Sequence, residues 1–426
     1  MKTHNSFEER FEFAGSAKTW SLVAIIIGVL AIAFGFIYKG GEHIANEHIQ
    51  RTYSNLLLMS YYFVCICTAG VFFCAYQYVA QAGWSVAFIR IPQAFAKTLP
   101  VASVILLVVV TAGLFQTHEV LENGRKEVVP YLYAHWATHG LTTVGSENFD
   151  AIIAGKAPFL NIKFFYAMLV ILLGAYSYFG IKLAKCSEDE DNLGGMSNYD
   201  KSFKLSCIFL VIFGFTFPIF AFGVIMSLEA HWFSTMFGWY NLAAMHVSGL
   251  AIIALTLILL QKKGYFSWTS ENHVHSLGKL IFGFSIFWTY VWFAQFFLTW
   301  YANIPEESVY FYVRWEPQYK FWFWLNIAMN FLAPLLLLMS RDAKRLTNRM
   351  MWTCILLIAG HWLDYYLMVM PGTVGTEGRG FGVEEIGIFL GFAGLFTFLM
   401  LNALSKAQSL VPKKHPFLEE SLHHHI

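Results

Sequence analysis

The apolar residues of this chain are concentrated in long stretches that polar residues interrupt only briefly. A helix needs about 20 consecutive, mostly apolar residues to cross the hydrocarbon core of a membrane. The stretches that meet this requirement are 20–38, 55–80, 99–116, 164–183, 203–228, 239–260, 277–300, 321–340, 351–370 and 384–404. They are apolar around most of the helix circumference, whereas β-barrel strands alternate with a period of two. The pattern therefore predicts an all-α integral membrane protein with about ten transmembrane helices.

The composition leaves little room for a soluble domain. Of the 426 residues, 57% are hydrophobic and 13% are charged, against about 25% charged in an average soluble domain. We therefore expect an N-terminal head at 1–19, a single membrane domain at 20–404 and a C-terminal tail at 405–426. The acidic run 187–191 falls in the connection 184–202, where we expect a solvated loop.

Lys and Arg are distributed unevenly between the two sides that these segments define. The side with both termini carries 19 of the 28 Lys and Arg residues, and the other side carries 9. Because positive residues concentrate in cytoplasmic loops, the distribution predicts that both termini are cytoplasmic. The longest connection on the other side, 117–163, is then extracytoplasmic.

The sequence offers no pattern for a bound redox centre. Its six cysteines include no Cys-x-x-Cys pair, the spacing found in attached c-type haem and in many iron–sulfur ligand sets. Thiols within apolar segments are most simply buried side chains. We therefore expect no metal site and assign no redox centre to the chain itself, so that c-type haems and iron–sulfur clusters would belong to partner proteins. No catalytic residue is assigned, and any enzymatic activity would belong to a complex.

Ionisable residues inside apolar segments are informative because each costs about 2.5–3.5 kcal/mol at the centre of a spanning helix. Segment nine contains His361 and Asp364, whose spacing of three places them on one helix face, about one turn apart. An imidazole beside a carboxylate can exchange a proton in a low-dielectric interior. We interpret the pair as a proton relay or ligand site, and the alternative is a hydrogen-bonded pair that holds two helices together.

Another histidine, His246, lies within segment six on an otherwise apolar face. It is either a further member of a proton pathway or a core residue with a satisfied ring. His246 and His361 could together ligate a b-type haem from two helices. That alternative rests on the two histidines alone.

A second group of ionisable residues marks the extracytoplasmic ends of segments three, five and seven. Each of these segments ends in a carboxylate, and two of the carboxylates have a histidine beside them. Such residues could pass protons between bulk water and a site inside the membrane, and ordinary interfacial polarity is the alternative. The candidates are His118, Glu119, Glu229, His231 and Glu306.

Three stretches make the chain similar to a known family. They are SLEAHWFSTMFGWY at 227–240, FAQFFLTWYANIPEE at 293–307 and HPFLEESL at 415–422. With the ten-segment plan, they resemble the NrfD/polysulfide-reductase family of membrane subunits, and most closely those of bacterial alternative complex III. The resemblance runs along essentially the whole chain. It implies two four-helix bundles, about 55–228 and about 239–370, with flanking helices at 20–38 and 384–404.

The resemblance also implies a function. It suggests a non-haem integral membrane subunit of a quinol:cytochrome c (or oxidase) oxidoreductase in the respiratory chain of a bacterial cytoplasmic membrane. The expected partners are a homologous quinol-binding membrane subunit, periplasmic iron–sulfur and multihaem cytochrome c subunits, and a terminal oxidase. Quinone or quinol binding by this chain itself, and proton conduction through its second bundle, are both left open.

Two other classes of function remain as alternatives. The chain could be a purely structural membrane anchor of such a complex, or an independent secondary transporter. Transporters of this size often contain interrupted helices at matching positions of two structural repeats. No such pair stands out in the sequence.

Overall fold

The computed structural model describes residues 7, 10–38, 42–122, 125–375 and 380–424. Residues 1–6 and 8–9 of the expected head, and 425–426 of the expected tail, lie outside that description. Within the described residues, ten helices are long and apolar enough to cross a membrane. The prediction of a multi-pass helical membrane protein is therefore confirmed.

The ten long helices are numbered along the chain. They are α1 (Ser16–Ile37), α2 (Glu42–Val79), α3 (Arg90–Phe115), α4 (Ile162–Leu193), α5 (Ser197–Val224), α6 (Met236–Lys262), α7 (Glu271–Ala302), α8 (Pro317–Leu338), α9 (Thr347–Thr373) and α10 (Val383–Ser405). Shorter helical segments are Gly83–Phe88, Ala134–Ala137, Ala151–Lys156, Met226–Glu229, Pro305–Trp315, Arg341–Arg345 and Leu418–Leu422. All ten long helices begin earlier than the predicted segments, because hydropathy marks only the apolar middle of a helix.

The connection 184–202 is mostly helical, so the prediction of a solvated loop there is wrong. Helix α4 continues to Leu193, and α5 begins at Ser197. Within the acidic run, the side chains of Ser187 and Glu190 are fully buried. The acidic residues extend a helix because they pack against neighbouring helices and the C-terminal tail, which local sequence does not reveal.

The connection 117–163 contains a small β-hairpin, a local exception in an otherwise helical fold. Strands β1 (Thr117–Glu122) and β2 (Arg125–Pro130) pair antiparallel, with Thr117 opposite Pro130. Strand β1 begins almost directly after α3 ends. Strands this short do not stand out in a pattern that long spanning stretches dominate.

The helix contacts follow the order of the chain. Helix α2 packs against α3 and α5, and α4 packs against the same two helices. Helix α6 packs against α7 and α9, and α8 contacts α7 and α9 in turn. Helix α2 also packs against α6 and α9 and so joins the two sets.

Helices α1 and α10 pack along each other at very close range. A Cβ atom added at Gly28 would lie 2.4 Å from the Cα atom of Gly391. Small residues allow two helix backbones to approach in this way. Helix α10 in turn packs against α2 and α3, so α1 is attached to the other helices largely through α10.

Both described ends of the chain lie at the same end of the molecule. The Phe11 ring packs 5.2 Å from the Tyr265 ring, in the connection between α6 and α7. The Ser421 hydroxyl donates to the carbonyl oxygen of Trp84, between α2 and α3, over 2.9 Å. We call this end the terminal face, and the opposite end, which carries β1 and β2, the hairpin face.

Helix α8 is interrupted at its centre. Its α-helical hydrogen bonding changes to a π turn at Ala328–Leu332 and then resumes at Ala333–Leu338. Pro334 follows the turn and has no backbone N–H to donate. π turns of this kind occur often at functional sites, and this one lies beside the buried polar centre described next.

Candidate functional site

The centre of the site is the carboxylate of Asp364, which lies in α9 and is fully buried. Trp288 Nε1 of α7 donates to Oδ2 over 2.9 Å, and Asn326 Nδ2 of α8 donates to Oδ1 over 2.8 Å. The Tyr240 hydroxyl of α6 also donates to Oδ1. These donors replace the hydration that a carboxylate loses inside a membrane. Asp364 thus joins α6, α7, α8 and α9 at one point.

The polar centre continues along α8 through a second asparagine. Asn330 Nδ2 donates to Asn326 Oδ1 over 2.6 Å. Gly360 of α9 provides the space, because a Cβ atom there would lie 2.4 Å from Asn330 Oδ1. That Oδ1 atom is buried and has no hydrogen-bond partner among the described residues, which is a typical position for an ordered water.

His361 is a neighbour of Asp364 but is not hydrogen-bonded to it. The distance from His361 Nδ1 to Asp364 Oδ2 is 3.7 Å, too long for a hydrogen bond. The imidazole is fully buried, and neither ring nitrogen has a hydrogen-bond partner among the described residues. The structure therefore brings the predicted pair together, and a water molecule would be needed to connect the two groups.

A small cavity lies between Asp364 and the hairpin face. Its polar lining residues include Tyr240, Gln295, Arg314 and Asn326. Its volume is about 10 Å³, which is about what one ordered water requires. Gln295 Oε1 is buried and without a partner among the described residues. A single water there would meet several polar groups, two of which donate to Asp364.

Arg314 closes this cavity on the hairpin side and was missed in the sequence. Its side chain is only 2% exposed. Nη2 donates to Glu229 Oε1 over 2.6 Å, Nη1 to the Tyr310 carbonyl oxygen over 2.6 Å, and Nε to the Leu367 carbonyl oxygen over 2.9 Å. Burial opposes the charge of Arg314, but the Glu229 carboxylate together with Tyr310 and Tyr240 raises the pKa of the guanidinium. The only hint in the sequence was one Arg among the aromatic residues 310–315.

The predicted exchange residue Glu229 is therefore the partner of a buried cation. Its side chain is 16% exposed, so one side of the ion pair remains close to water. Glu229 ends the short helical segment Met226–Glu229, directly after α5. This position connects the solvent side of the hairpin face to the cavity below Arg314.

His231, two residues further on, has a different partner. His231 Nε2 lies 2.6 Å from Asp150 Oδ2 in the connection between β2 and α4. Asp150 also caps the helical segment Ala151–Lys156 by accepting from Ile152 N and Ile153 N. The hydrogen bond from His231 is the main cause that lowers the pKa of Asp150. Asp150 was not a candidate in the sequence, because an N-cap aspartate in a loop is common.

The remaining predicted exchange residues take up other positions at the hairpin face. His118 of β1 stacks on Tyr131, with ring centroids 4.3 Å apart, and burial lowers the pKa of its imidazole. Glu119 is exposed on β1, and Glu306 is exposed in the first turn of Pro305–Trp315. Of the predicted outer residues, Glu229 is the one whose contacts lead to the cavity.

His246 lies deeper in α6 and is fully buried. Its ring makes edge contacts with Phe72, Tyr76 and Phe284, at centroid distances of 4.9, 5.4 and 4.3 Å. A haem bound at this ring would need an open space where α2 and α7 now place aromatic side chains. Neither ring nitrogen has a hydrogen-bond partner among the described residues, so any partner of this ring would have to come from elsewhere.

A second buried ion-pair cluster connects α2 to α10 and was also missed. Arg51 donates from Nε and Nη2 to the two carboxylate oxygens of Glu385, over 3.1 and 2.7 Å. Asn55 Nδ2 donates to Glu385 Oε1 over 2.9 Å, and His48 Nδ1 lies 2.5 Å from Glu384 Oε1. The paired carboxylates stand at the first turn of α10, where negative charge also suits the helix dipole.

Together, the fold and the site define a multi-pass helical membrane protein with a multiply hydrogen-bonded carboxylate in its interior. A comparison of the sequence with protein-family models found no match, and a comparison with curated proteins found none either. No three His, Cys, Asp or Glu side chains among the described residues are grouped so that they could hold a metal ion. The resemblance to NrfD-like subunits therefore stays an expectation from the ten-segment plan and the three sequence stretches quoted above.

Proposed function

We propose that this chain is a non-haem membrane subunit of a quinol-oxidising complex of the alternative complex III type, and that α6–α9 conduct protons. In this proposal α2–α5 and α6–α9 are the two four-helix bundles of an NrfD-like subunit of the ActF type. Both termini then face the cytoplasm of a bacterium. The three sequence stretches support the assignment to the complex, and the surroundings of Asp364 support proton conduction.

The half of the pathway towards the hairpin face runs from Glu229 to Asp364. Arg314 stays protonated in proteins, so it cannot itself carry a proton between them. It instead holds Glu229 in place and contributes to the wall of the cavity. A water in that cavity can pass a proton towards Tyr240, whose hydroxyl is hydrogen-bonded to Asp364.

The half towards the terminal face is marked by buried polar atoms that have no partner among the described residues. They include both ring nitrogens of His361, both ring nitrogens of His246 and the hydroxyl of Tyr76. Buried polar groups are nearly always hydrogen-bonded, to protein or to ordered water. Waters at these atoms would extend the pathway from Asp364 through α6 to α2, where the His246 and Tyr76 rings are in contact.

The single observation that carries the proposal is the position of Asp364 between the Arg314 cavity and the unpartnered His361. Asp364→Asn keeps the size of the side chain and removes the exchangeable acid. In the purified complex reconstituted in vesicles, we expect proton release per quinol to fall while the subunits stay assembled. A loss of about 10²-fold in the relayed step is typical for removal of a proton-transfer group. Normal quinol oxidation together with normal proton release in this variant would disprove the relay.

A matched control is available on the exposed surface. Asp200 lies in the first turn of α5 and is exposed. Asp200→Asn removes the same chemical group far from the buried centre, so we expect normal assembly, turnover and proton release.

The assignment to a complex has its own test, which does not depend on protons. The chain is purified from its native membrane in mild detergent, and the accompanying subunits are identified by mass spectrometry and optical spectra. We expect c-type haem and iron–sulfur proteins to accompany it, with quinol oxidation. A stable, colourless protein that purifies alone would contradict the assignment and favour a transporter.

A purely structural anchor is the second candidate, and the same site favours it. Hydrogen bonds from three helices to one carboxylate hold those helices together, whether or not a proton moves. An anchor predicts that Asp364→Asn lowers the yield of the complex and leaves proton release per quinol unchanged. The transporter alternative finds less support, because the interruption in α8 has no counterpart in α4, which is continuous from Ile162 to Leu193.

A further inference from the structure

A fully buried carboxyl group lies at the terminal face, outside the surroundings of Asp364. Glu190 is in the last turn of α4 and has no exposed surface. Neither of its carboxylate oxygens has a hydrogen-bond partner among the described residues. A bare carboxylate in such a position is costly unless a proton, a cation or water compensates its charge. The group therefore requires a ligand that the described residues do not supply.

The nearby cation is already committed to another acid. Arg90 of α3 is buried, and its Nη2 donates to the carboxylate of Asp191. Asp191 also accepts from the backbone N–H of Lys413, in the C-terminal tail, over 2.8 Å. One guanidinium thus faces two adjacent carboxyl groups and forms its direct pair with Asp191, which leaves the charge of Glu190 without direct compensation.

The surroundings of Glu190 are rich in oxygen atoms that also lack partners. The rings of Tyr78 (α2) and Tyr199 (α5) lie 5.8 Å apart, and both side chains are close enough to the Glu190 carboxyl group to interact with it electrostatically. Ser202 and Ser206 follow Tyr199 at a spacing that places all three on one face of α5. Buried oxygen atoms without a partner among the described residues include Gln77 Oε1, Tyr199 Oη and Ser206 Oγ.

The C-terminal tail covers this region, and the charge of its Lys413 acts on Asp191, the neighbour of Glu190. His415 packs against Tyr78 and Tyr199, with ring centroids 6.0 and 5.4 Å away. Burial, and then the charge of Arg90, lower the pKa of His415 to about 4, so the ring is neutral near pH 7. A small cavity lies among Gln77, Tyr78, Tyr199 and His415. Its volume of about 10 Å³ is about what one ordered water requires.

We propose that Glu190 is a proton-binding group that loads the proton pathway from the terminal face. A proton from water adds to a Glu190 carboxylate oxygen, and the same proton later leaves to a water held by Tyr78 and Gln77. From there it can reach Tyr76 and then His246, whose ring packs against that of Tyr76. The proposal that Glu190 binds a proton depends only on its buried carboxyl group. The proposal that the proton moves on towards His246 rests on the proposed function.

Infrared spectroscopy of the purified protein tests the proton-binding step directly. A protonated carboxyl group has a C=O stretching band that a carboxylate lacks. We expect such a band near pH 7 in the unmodified protein and its loss in Glu190→Gln. The matched control is Glu188→Gln on the same helix, where the side chain is 33% exposed and paired with Lys97, and where we expect no loss.

Tyr78→Phe provides a second variant that leaves the carboxyl in place. Loss of a hydroxyl near Glu190 is expected to shift the frequency of the same band, because the strength of hydrogen bonding to the C=O group changes. An unchanged band in both Glu190→Gln and Tyr78→Phe would overturn the proposal. Loss of the band on addition of Na⁺ at constant pH would also overturn it, since the site would then take a metal cation in place of the proton.

Proton flux separates this proposal from the proposed function. In vesicles that contain the complex, we expect Glu190→Gln to lower the proton flux about tenfold or more, and we expect a loss of flux for Asp364→Asn as well. If Asp364→Asn lowers the flux and Glu190→Gln does not, the loading role is wrong and the Asp364 relay stands. If the unmodified protein shows the Glu190 band but no flux, proton binding stands and the conduction function fails.

Discussion

Arg314 and Glu229 form an ion pair at the hairpin face, with Nη2 and Oε1 2.6 Å apart. The side chain of Arg314 is 2% exposed and that of Glu229 is 16% exposed. The same guanidinium lines the cavity beside Tyr240 and Asn326, which both donate to Asp364 Oδ1. The pair therefore connects a carboxylate near water to the carboxylate inside the membrane domain.

Glu229→Gln should destabilise the protein, because it leaves the buried Arg314 without its anionic partner. A hydrogen bond to a charged group contributes about 1.5–3 kcal/mol, and we expect a loss in that range, measured as a lower midpoint of thermal unfolding in detergent. Glu306→Gln is the control, since Glu306 is exposed in the first turn of its helix. Equal midpoints for the two variants would show that the pair does not stabilise the fold.

The two neutral donors Tyr240 and Trp288 allow the relay and the anchor to be distinguished. Both donate to Asp364, but only Tyr240 is among the residues that line the Arg314 cavity. Tyr240→Phe should therefore reduce proton release per quinol, whereas Trp288→Phe should mainly lower the yield of assembled complex. Vesicle proton-release assays normalised to the amount of complex make this comparison. The same normalised proton release in both variants would favour the anchor.

Asp150→Asn tests the contact with His231 without removing the helix cap, because Asn is an equally good N-cap residue. The pKa of Asp150 is below its ordinary 3.8 in the folded protein. The contribution of the Asp150 carboxylate to stability is therefore fully present above the ordinary value of 3.8. It is lost as the pH falls through the lower pKa of the folded protein. We expect a difference from the unmodified protein of less than about 1 kcal/mol, because the pair is partly exposed.

Thermal unfolding of both proteins between about pH 3 and pH 7 checks this prediction. The difference in midpoint should be largest at the upper end of the range and should shrink towards the lower end. A difference that grows as the pH falls would contradict the assigned role of the Asp150 carboxylate.

Gly28→Ala should disturb the contact between α1 and α10. The added Cβ atom would lie 2.4 Å from Gly391 Cα, and a backbone atom cannot move aside as a flexible side chain can. Overpacking of this kind typically costs about 1–3 kcal/mol, visible as a lower unfolding midpoint. Gly174→Ala in α4 is the control, because nothing lies within 4 Å of a Cβ atom there. A neutral Gly28→Ala would mean that α1 is free to shift relative to α10.

The positions of the ten helices were predictable because crossing a membrane is a local requirement. About 20 apolar residues must follow one another along the chain, whatever the rest of the chain does. Asp364 was predictable for the same reason, since a carboxylate in an apolar stretch is costly and needs a role. The β-hairpin was missed because its strands are short and outside the spanning stretches.

Several buried ionisable residues were not predictable, because they lie near helix ends where polar residues are ordinary. Arg314, Glu190 and the Arg51–Glu385 pair are of this kind. The donor and acceptor of that pair are 334 residues apart in the chain. Arg51 and Glu385 are removed from water only because α10 packs against α2, and no local sequence pattern predicts that packing.

The spacing of His361 and Asp364 determined that both lie on one face of α9, since three residues make about one helical turn. The sequence by itself also determined that this face carries ionisable groups inside the membrane domain. The tertiary structure decided that the nearest imidazole nitrogen is 3.7 Å away, beyond hydrogen-bond distance, and that Tyr240, Trp288 and Asn326 supply the donors. Those donors lie 38 to 124 residues from Asp364 in the chain, so only helix packing can bring them to one carboxylate.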